Sequence, residues 1–207
     1  PPPAPRRPAP PGGGALPGGA GWYRKSFDVP ASDKGRLVYI DFDGVYHNSE
    51  VWINGYYLGK RPNGYISFRY ELSGFLKFGQ KNVISVKVDN SRQPNSRWYS
   101  GSGIYRKVSL VKVNALHVPQ YGTFVTAPVV SEERALVSIE TTVLNASGKK
   151  TSVRLNTILR NGEGKEVASL WHTQVVESGK SVLFNQKAEL LRPQLWSVEA
   201  PVLYKAV

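Results

Sequence analysis

The chain has 207 residues, 41% of them hydrophobic, a formal net charge of +12 and neither cysteine nor methionine. Its length and apolar content suffice for one large or two ordinary globular domains, and the lack of cysteine excludes disulfide frameworks, zinc-finger spacings and thiol nucleophiles. The positive charge is scattered in singles and pairs such as Arg24-Lys25 and Lys149-Lys150, a diffuse solvated surface without a nucleic-acid motif, and no run reaches the ~20 apolar residues that cross a bilayer.

Residues 1–20 begin "PPPAPRRPAPPGGGALPGG", a composition of Pro, Gly, Ala, Arg and one Leu. It cannot bury a core and lacks the charged-then-apolar pattern of a secretory signal, so it reads as a lead-in. From Gly21 the pattern turns period-two and rich in β-branched and aromatic residues: "WYRKSFDV", "RLVYIDFD", "SEVWINGYYLG", "YISFRYEL", "NVISVKVD" and "IYRKVSLVKV". These are predicted strands. Asn54-Gly55, between "EVWI" and "YYLG", predicts a two-residue hairpin of the primed kind, because both turn positions require φ > 0.

The first set of strands ends near Asn114, and a second set follows: "LHVPQYGTFVTAPVV", "RALVSIETTVLNAS", "TSVRLNTILR", "KEVASLWHTQVV" and "KSVLFNQKAEL". Polar, Gly-containing separators such as "NASGKK" and "RNGEGK" have the spacing of a β-sandwich. The expectation is therefore an all-β chain of two sandwiches in tandem, residues 21–114 and 115–207, the second short of a strand or two at its C-terminus. The missing initiator Met and the finish at "PVLYKAV", inside a strand-like run, make the chain read as part of a longer protein. Trp171 and Trp196 are expected in sandwich core or interdomain packing.

One connection is unusually long. "VDNSRQPNSRWYSGSGIYRKV", from Val88 to Val108, joins two predicted strands through acidic, amide, guanidinium and aromatic side chains, where a plain hairpin needs only two to five residues. Gly101 and Gly103 in it read as conformational, allowing a sharp turn into the next strand.

"GWYRKSFDVP", "VYIDFDGVYHNSEVWINGYYLGKRPNGYISFRYELS" and "NVISVKVDNSRQPNSRWYSGSGIYRKVSL" closely resemble the N-terminal sugar-binding domain of family 2 glycoside hydrolases, particularly bacterial β-galactosidases. "LRPQLWSVEAPVLYKAV" is similar to the end of the immunoglobulin-like domain that follows it. The resemblance implies a jelly-roll β-sandwich followed by an immunoglobulin-like β-sandwich, both ahead of a (β/α)₈ barrel that holds the two catalytic Glu residues of a retaining glycosidase. The family's acid/base Glu follows an Asn, and no Asn-Glu dipeptide occurs in this sequence. No catalytic residue, cofactor or metal ligand is assigned to these residues. The expected partners are a β-galactoside-type carbohydrate and the catalytic barrel of the parent chain, with no nucleic acid and no membrane. Nothing in the residues chooses between periplasm and cytoplasm or sets an oligomeric state.

Pyranose recognition uses planar donors and acceptors for adjacent hydroxyls and an aromatic surface for the ring's C–H face. Asp89, Asn90, Arg97, Trp98 and Tyr99 supply these within the long connection and are the candidate substrate-binding residues. The resemblance implies that Asp89 reaches across a domain boundary to the sugar bound at the barrel. The structural alternative has Asp89 capping its own loop, Arg97 pairing with an acid and Trp98 filling a core gap. Ahead of the "GWYRK" strand, family members carry a His-Asp-Trp or Asn-bearing motif that also faces the sugar, and here "PPPAPRRPAPPGG" stands there. Tyr56, Tyr57 and Tyr65 are a further candidate stacking surface. Two rival functions remain at this point: a free-standing carbohydrate-binding module and a structural tandem sandwich. The acid pairs Asp41/Asp43 and Glu132/Glu133 read as structural.

Overall fold

The computed structural model describes residues 19–92 and 101–207. The chain divides into two compact units, Pro1–Asn114 and Ala115–Val207, and both are built from β-strands as expected.

The first unit contains β1 (Gly19–Val29), β2 (Leu37–Phe42), β3 (Val45–Tyr46), β4 (Ser49–Ile53), β5 (Tyr56–Arg61), β6 (Phe68–Glu71), β7 (Gln80–Asn90), β8 (Gly103–Ile104) and β9 (Val108–Val113). A four-stranded sheet runs β1-β7-β4-β5 and a three-stranded sheet runs β6-β2-β9, with β3 and β8 paired separately. This is the jelly-roll sandwich. Alternation directs Ile84, Val86 and Val88 of β7 and Val51 and Ile53 of β4 inward, where they join Ile40, Phe42, Val45, Phe68 and Leu72 in one core. Phe42 and Phe68 stack with centroids 4.9 Å apart. Each such buried side chain contributes about 1.5–3 kcal/mol as an upper estimate.

Asn54 and Gly55 have φ of 50° and 91°, the left-handed pair expected for the β4–β5 turn. The asparagine also acts as a clamp. Its Nδ2 donates to Phe75 O at 2.9 Å and to Asn82 Oδ1 at 2.8 Å, and its Oδ1 accepts the Val83 amide at 2.9 Å. Asp41 is structural as expected: Arg69 grips its two oxygens at 2.6 and 2.7 Å.

The second unit contains β10 (Leu116–His117), β11 (Thr123–Val130), β12 (Arg134–Asn145), β13 (Thr151–Arg160), β14 (Glu166–Val176), β15 (Ser181–Leu191) and β16 (Lys205–Ala206). β12 pairs with β10 and β11 in succession and with β15 along its whole length, while β14-β13-β16 form the other sheet. Ile139, Ala188 and Leu190 from the first sheet meet Leu159 from the second in the core of this immunoglobulin-like sandwich. Buried Thr157 donates its hydroxyl to Gln186 Oε1 at 2.7 Å across that core. The separators become turns: Asn161 Oδ1 accepts the Glu163 and Lys165 amides at 3.2 and 2.9 Å. Glu132 and Glu133 lie in the bend before β12, where the Glu133 amide donates to Ser131 Oγ at 3.2 Å.

The two tryptophans of this unit are not core residues. Trp171 is 65% exposed on the outside of β14, with the Arg154 guanidinium 4.7 Å over its ring. Trp196 is 59% exposed and lines an apolar cavity of about 390 Å³ with Val125, Leu159, Leu190, Val202 and Tyr204. Trp171 stands at an outward position of the strand, where alternation outweighs hydrophobicity.

Candidate functional site

The candidate site grows from the C-terminal end of β7. Strand alternation places Asp89 and Asn90 on opposite faces of the sheet, because Ile84, Val86, Val88 and Asn90 face the core and Ser85, Lys87 and Asp89 face outward. Each residue also pairs with the start of β1, Ala20 opposite Asp89 and Gly19 opposite Asn90.

The backbone of Asp89 is held from the side away from β1. Its amide donates to His47 O at 3.1 Å, and its carbonyl accepts from Asn48 Nδ2 at 3.2 Å. Asn48 has a φ of 50° and its side chain also meets His47 Nδ1. Beside it, Tyr46 packs edge-on against His47 and against Tyr65, with centroids 4.7 and 5.4 Å apart. The segment around "YHNS" is thus a bracket for the end of β7.

The carboxylate of Asp89 accepts the Ser91 amide at 3.0 Å. This is an Asx turn, so the capping role considered from the sequence is present. The Ser91 side-chain and backbone hydrogen bonds, with smaller contributions from the Lys87 and His47 charges, hold the carboxyl below the usual aspartate range. Asp89 is therefore an anion at neutral pH, able to accept hydroxyl hydrogen bonds and unable to donate.

Asn90 is buried, 1% exposed. Its Nδ2 donates to Ser102 Oγ at 2.7 Å, tying the end of β7 to the far side of the long connection. Its Oδ1 is buried and has no hydrogen-bond partner among the described residues. Next to it opens a cleft of about 160 Å³ lined by Gly19, Ala20, Gly21, Tyr23, Ser102 and Gly103. The Tyr23 hydroxyl accepts the Ile104 amide at 3.3 Å and lies where a β-carbon on Gly103 would stand; Gly103 has a φ of +105°. Only glycine satisfies both conditions. Arg97, Trp98 and Tyr99 lie outside the described residues.

Of the candidate residues, the structure thus describes Asp89 and Asn90, adjacent but pointing to opposite faces. It divides the three candidate tyrosines among separate pairs: Tyr56 with Phe75 at 5.1 Å, Tyr57 with Trp52 at 5.3 Å and Tyr65 with Tyr46. Sequence reasoning missed the bracket formed by His47 and Asn48. The only local signal was the polar "HNS" interrupting two apolar runs, and nothing local reveals which distant strand it holds. Among the described residues no cluster of His, Asp and Glu side chains is arranged to hold a metal ion.

Comparison with known proteins places the two domains. Residues 14–114 match the model of the glycosyl hydrolases family 2 sugar binding domain, and residues 117–207 match that of glycosyl hydrolases family 2. The chain is similar to β-galactosidase BoGH2A of Bacteroides ovatus, 50% identical over 95% of this chain and 23% of that protein. It is 44% identical, over 94% of its length and 18% of the relative's, to a Formosa agariphila protein named as a β-glucuronidase candidate. Among solved structures, a family 2 member from Bacteroides cellulosilyticus superposes with a TM-score of 0.88 at 35% identity, over 91% of this chain and 26% of that one. The chain spans at most about a quarter of these relatives. With the two domain models matched in order over residues 14–114 and 117–207, the chain belongs to glycosyl hydrolase family 2, of which it carries the sugar-binding and immunoglobulin-like domains.

Proposed function

We propose that this chain is the non-catalytic N-terminal part of a retaining β-glycosidase, a β-galactosidase, and that the end of β7 contributes Asp89 to a substrate pocket completed by the catalytic domain of the parent protein. The observation that carries the reading is the fixed anion at Asp89. Its backbone is clamped by His47 and Asn48, and its carboxylate, oriented by the Ser91 amide, is held below the ordinary aspartate range by the Ser91 hydrogen bonds, so an acceptor for sugar hydroxyls is in place before any ligand arrives. Asn90 is its positioning partner, anchoring the strand end to Ser102. Arg97, Trp98 and Tyr99, in the same connection, supply donors and ring surface in this proposal. Galactoside is preferred to glucuronide because the B. ovatus relative, at 50% identity, is a β-galactosidase.

The test uses the full-length parent enzyme. Asp89→Asn retains shape and removes charge, and kcat/KM on p-nitrophenyl β-galactoside should fall about ten- to a hundredfold with the melting temperature nearly unchanged. Asn continues to cap the turn. Near-normal kcat/KM in the folded variant would leave Asp89 a loop cap only, and a parent that turns over p-nitrophenyl β-glucuronide in preference to the galactoside would replace the substrate assignment.

A further inference from the structure

The outer face of the β1-β7-β4-β5 sheet carries a row of aromatic rings used by neither the core nor the Asp89 end. Trp22 on β1 and Trp52 on β4 flank β7, opposite Lys87 and Ser85 respectively. The small Ser85 side chain lets the two indoles meet across the strand, with centroids 5.1 Å apart and planes tilted by 32°. Tyr57 on β5 stands opposite Trp52 in register and continues the row at 5.3 Å. Trp22 is 58% exposed and Tyr57 53%. Large rings left this open forgo much of the stabilisation that burial would give them.

What surrounds the rings decides which partner they suit. Glu50 and Lys87 form an ion pair of 3.4 Å beside them, Arg24 lies opposite Ser85, and Lys60 lies opposite Glu50. A protein partner of the kind that extends a core would be met by aliphatic side chains, yet the outward positions of β7 are Val83, Ser85, Lys87 and Asp89. Aromatic planes edged by carboxylate, ammonium and guanidinium groups match a pyranose, which offers a C–H face to the ring and a rim of hydroxyls to the charged groups. The row also continues toward the candidate site. Asp89 is on the same face, two residues beyond Lys87 and so about 7 Å along the strand, with only Ala20 opposite it on β1.

We propose that Trp22, Trp52 and Tyr57 form a platform that binds the pyranose rings of an oligosaccharide, a site separate from the pocket to which Asp89 contributes. At these separations Trp52 is packed between Trp22 and Tyr57, so the ring surface offered to a glycan is that of the exposed Trp22 and Tyr57 at the two ends of the row, while the Glu50–Lys87 pair and Arg24 take its hydroxyls. This goes beyond the pocket reading and stands or falls independently of it.

The experiment is a titration of the ¹⁵N-labelled 207-residue chain with β-1,4-galactotetraose, xylotetraose and cellotetraose, followed by NMR. The indole N–H signals of Trp22 and Trp52 report the platform, the Asn90 and Ser91 amides report the Asp89 end, and the exposed Trp171 indole is the control. At least one tetrasaccharide should shift both platform indoles with sub-millimolar saturation, and Trp22→Ala should weaken that binding at least tenfold, with Trp22→Tyr between the two. Four results would overturn the proposal: indoles unmoved by all three sugars, equal movement of Trp171, shifts confined to Asn90 and Ser91, or unchanged binding in Trp22→Ala. Indole shifts that depend on protein concentration without sugar would assign the face to a second copy of the chain and overturn it as well.

Discussion

Replacing Asn82 by alanine should be among the most damaging single changes in the first unit. Asn82 is fully buried, and all its polar capacity is engaged. Its Oδ1 accepts from Asn54 Nδ2 and from the Lys77 amide, each at 2.8 Å, and its Nδ2 donates to Lys77 O and Gln80 O, each at 3.0 Å. Deleting the amide removes these four bonds and leaves groups around the Asn54-Gly55 turn without partners. At about 1 kcal/mol net per bond the loss is about 4 kcal/mol, a large part of the ~5–15 kcal/mol available to a domain. Asn54→Gly retains the positive φ of the turn and loses the three bonds of the clamp, which should cost about 3 kcal/mol. Because the two residues share one hydrogen bond, the double variant should fall short of additivity by about 1 kcal/mol. Urea denaturation followed by tryptophan fluorescence and far-UV circular dichroism measures all three, with each unit's transition fitted separately. A loss below about 1 kcal/mol in Asn82→Ala, or strict additivity with Asn54→Gly, would refute the view that the buried amide locks the hairpin onto β7.

Two further outcomes test the geometry around the candidate site. Gly103→Ala should destabilise the first unit by about 1–3 kcal/mol, because alanine resists the positive φ and its β-carbon meets the Tyr23 hydroxyl; Tyr23→Phe in the same chain should return part of the loss in urea denaturation, and no return would show that the contact is unimportant. The Asp89 carboxyl should titrate below the usual aspartate range in ¹³C NMR, and Ser91→Ala should move it upward. Since its folded value is depressed, any stabilisation from this group is present above the ordinary aspartate range and disappears as pH falls through the lowered value, and a midpoint at or above the ordinary range would refute the hydrogen-bonding account.

Local pattern carried most of the fold. Alternation in "NVISVKVD" placed Ile84, Val86 and Val88 on one face of a strand, and Asn54-Gly55 announced a hairpin, because both are properties of a few consecutive residues. What escaped was set by pairing between distant strands. The register of β1 against β7 decides that Trp22 lies across from Lys87, and only with that pairing do Trp22 and Trp52 become neighbours. The shared tyrosine surface failed for a local reason, since Tyr56 and Tyr57 are adjacent in sequence and so point to opposite faces of β5. At the candidate site, the residue types in "VDNS" pointed to hydroxyl chemistry, while the role of Asn90 as a buried tie to Ser102 depended on where the chain returns at Gly103.

β7 serves two unlike surroundings through one alternation, with apolar side chains and Asn90 turned inward and Lys87 and Asp89 turned out. Such a strand works as a ruler with no tolerance for a missing mark. Deleting a single residue between Asn82 and Asp89 would carry the aspartate onto the core side and bring the valines into water, or else tear the pairing with β1 and β4. Changes within β7 that leave both surroundings intact are therefore confined to substitutions at the outward positions.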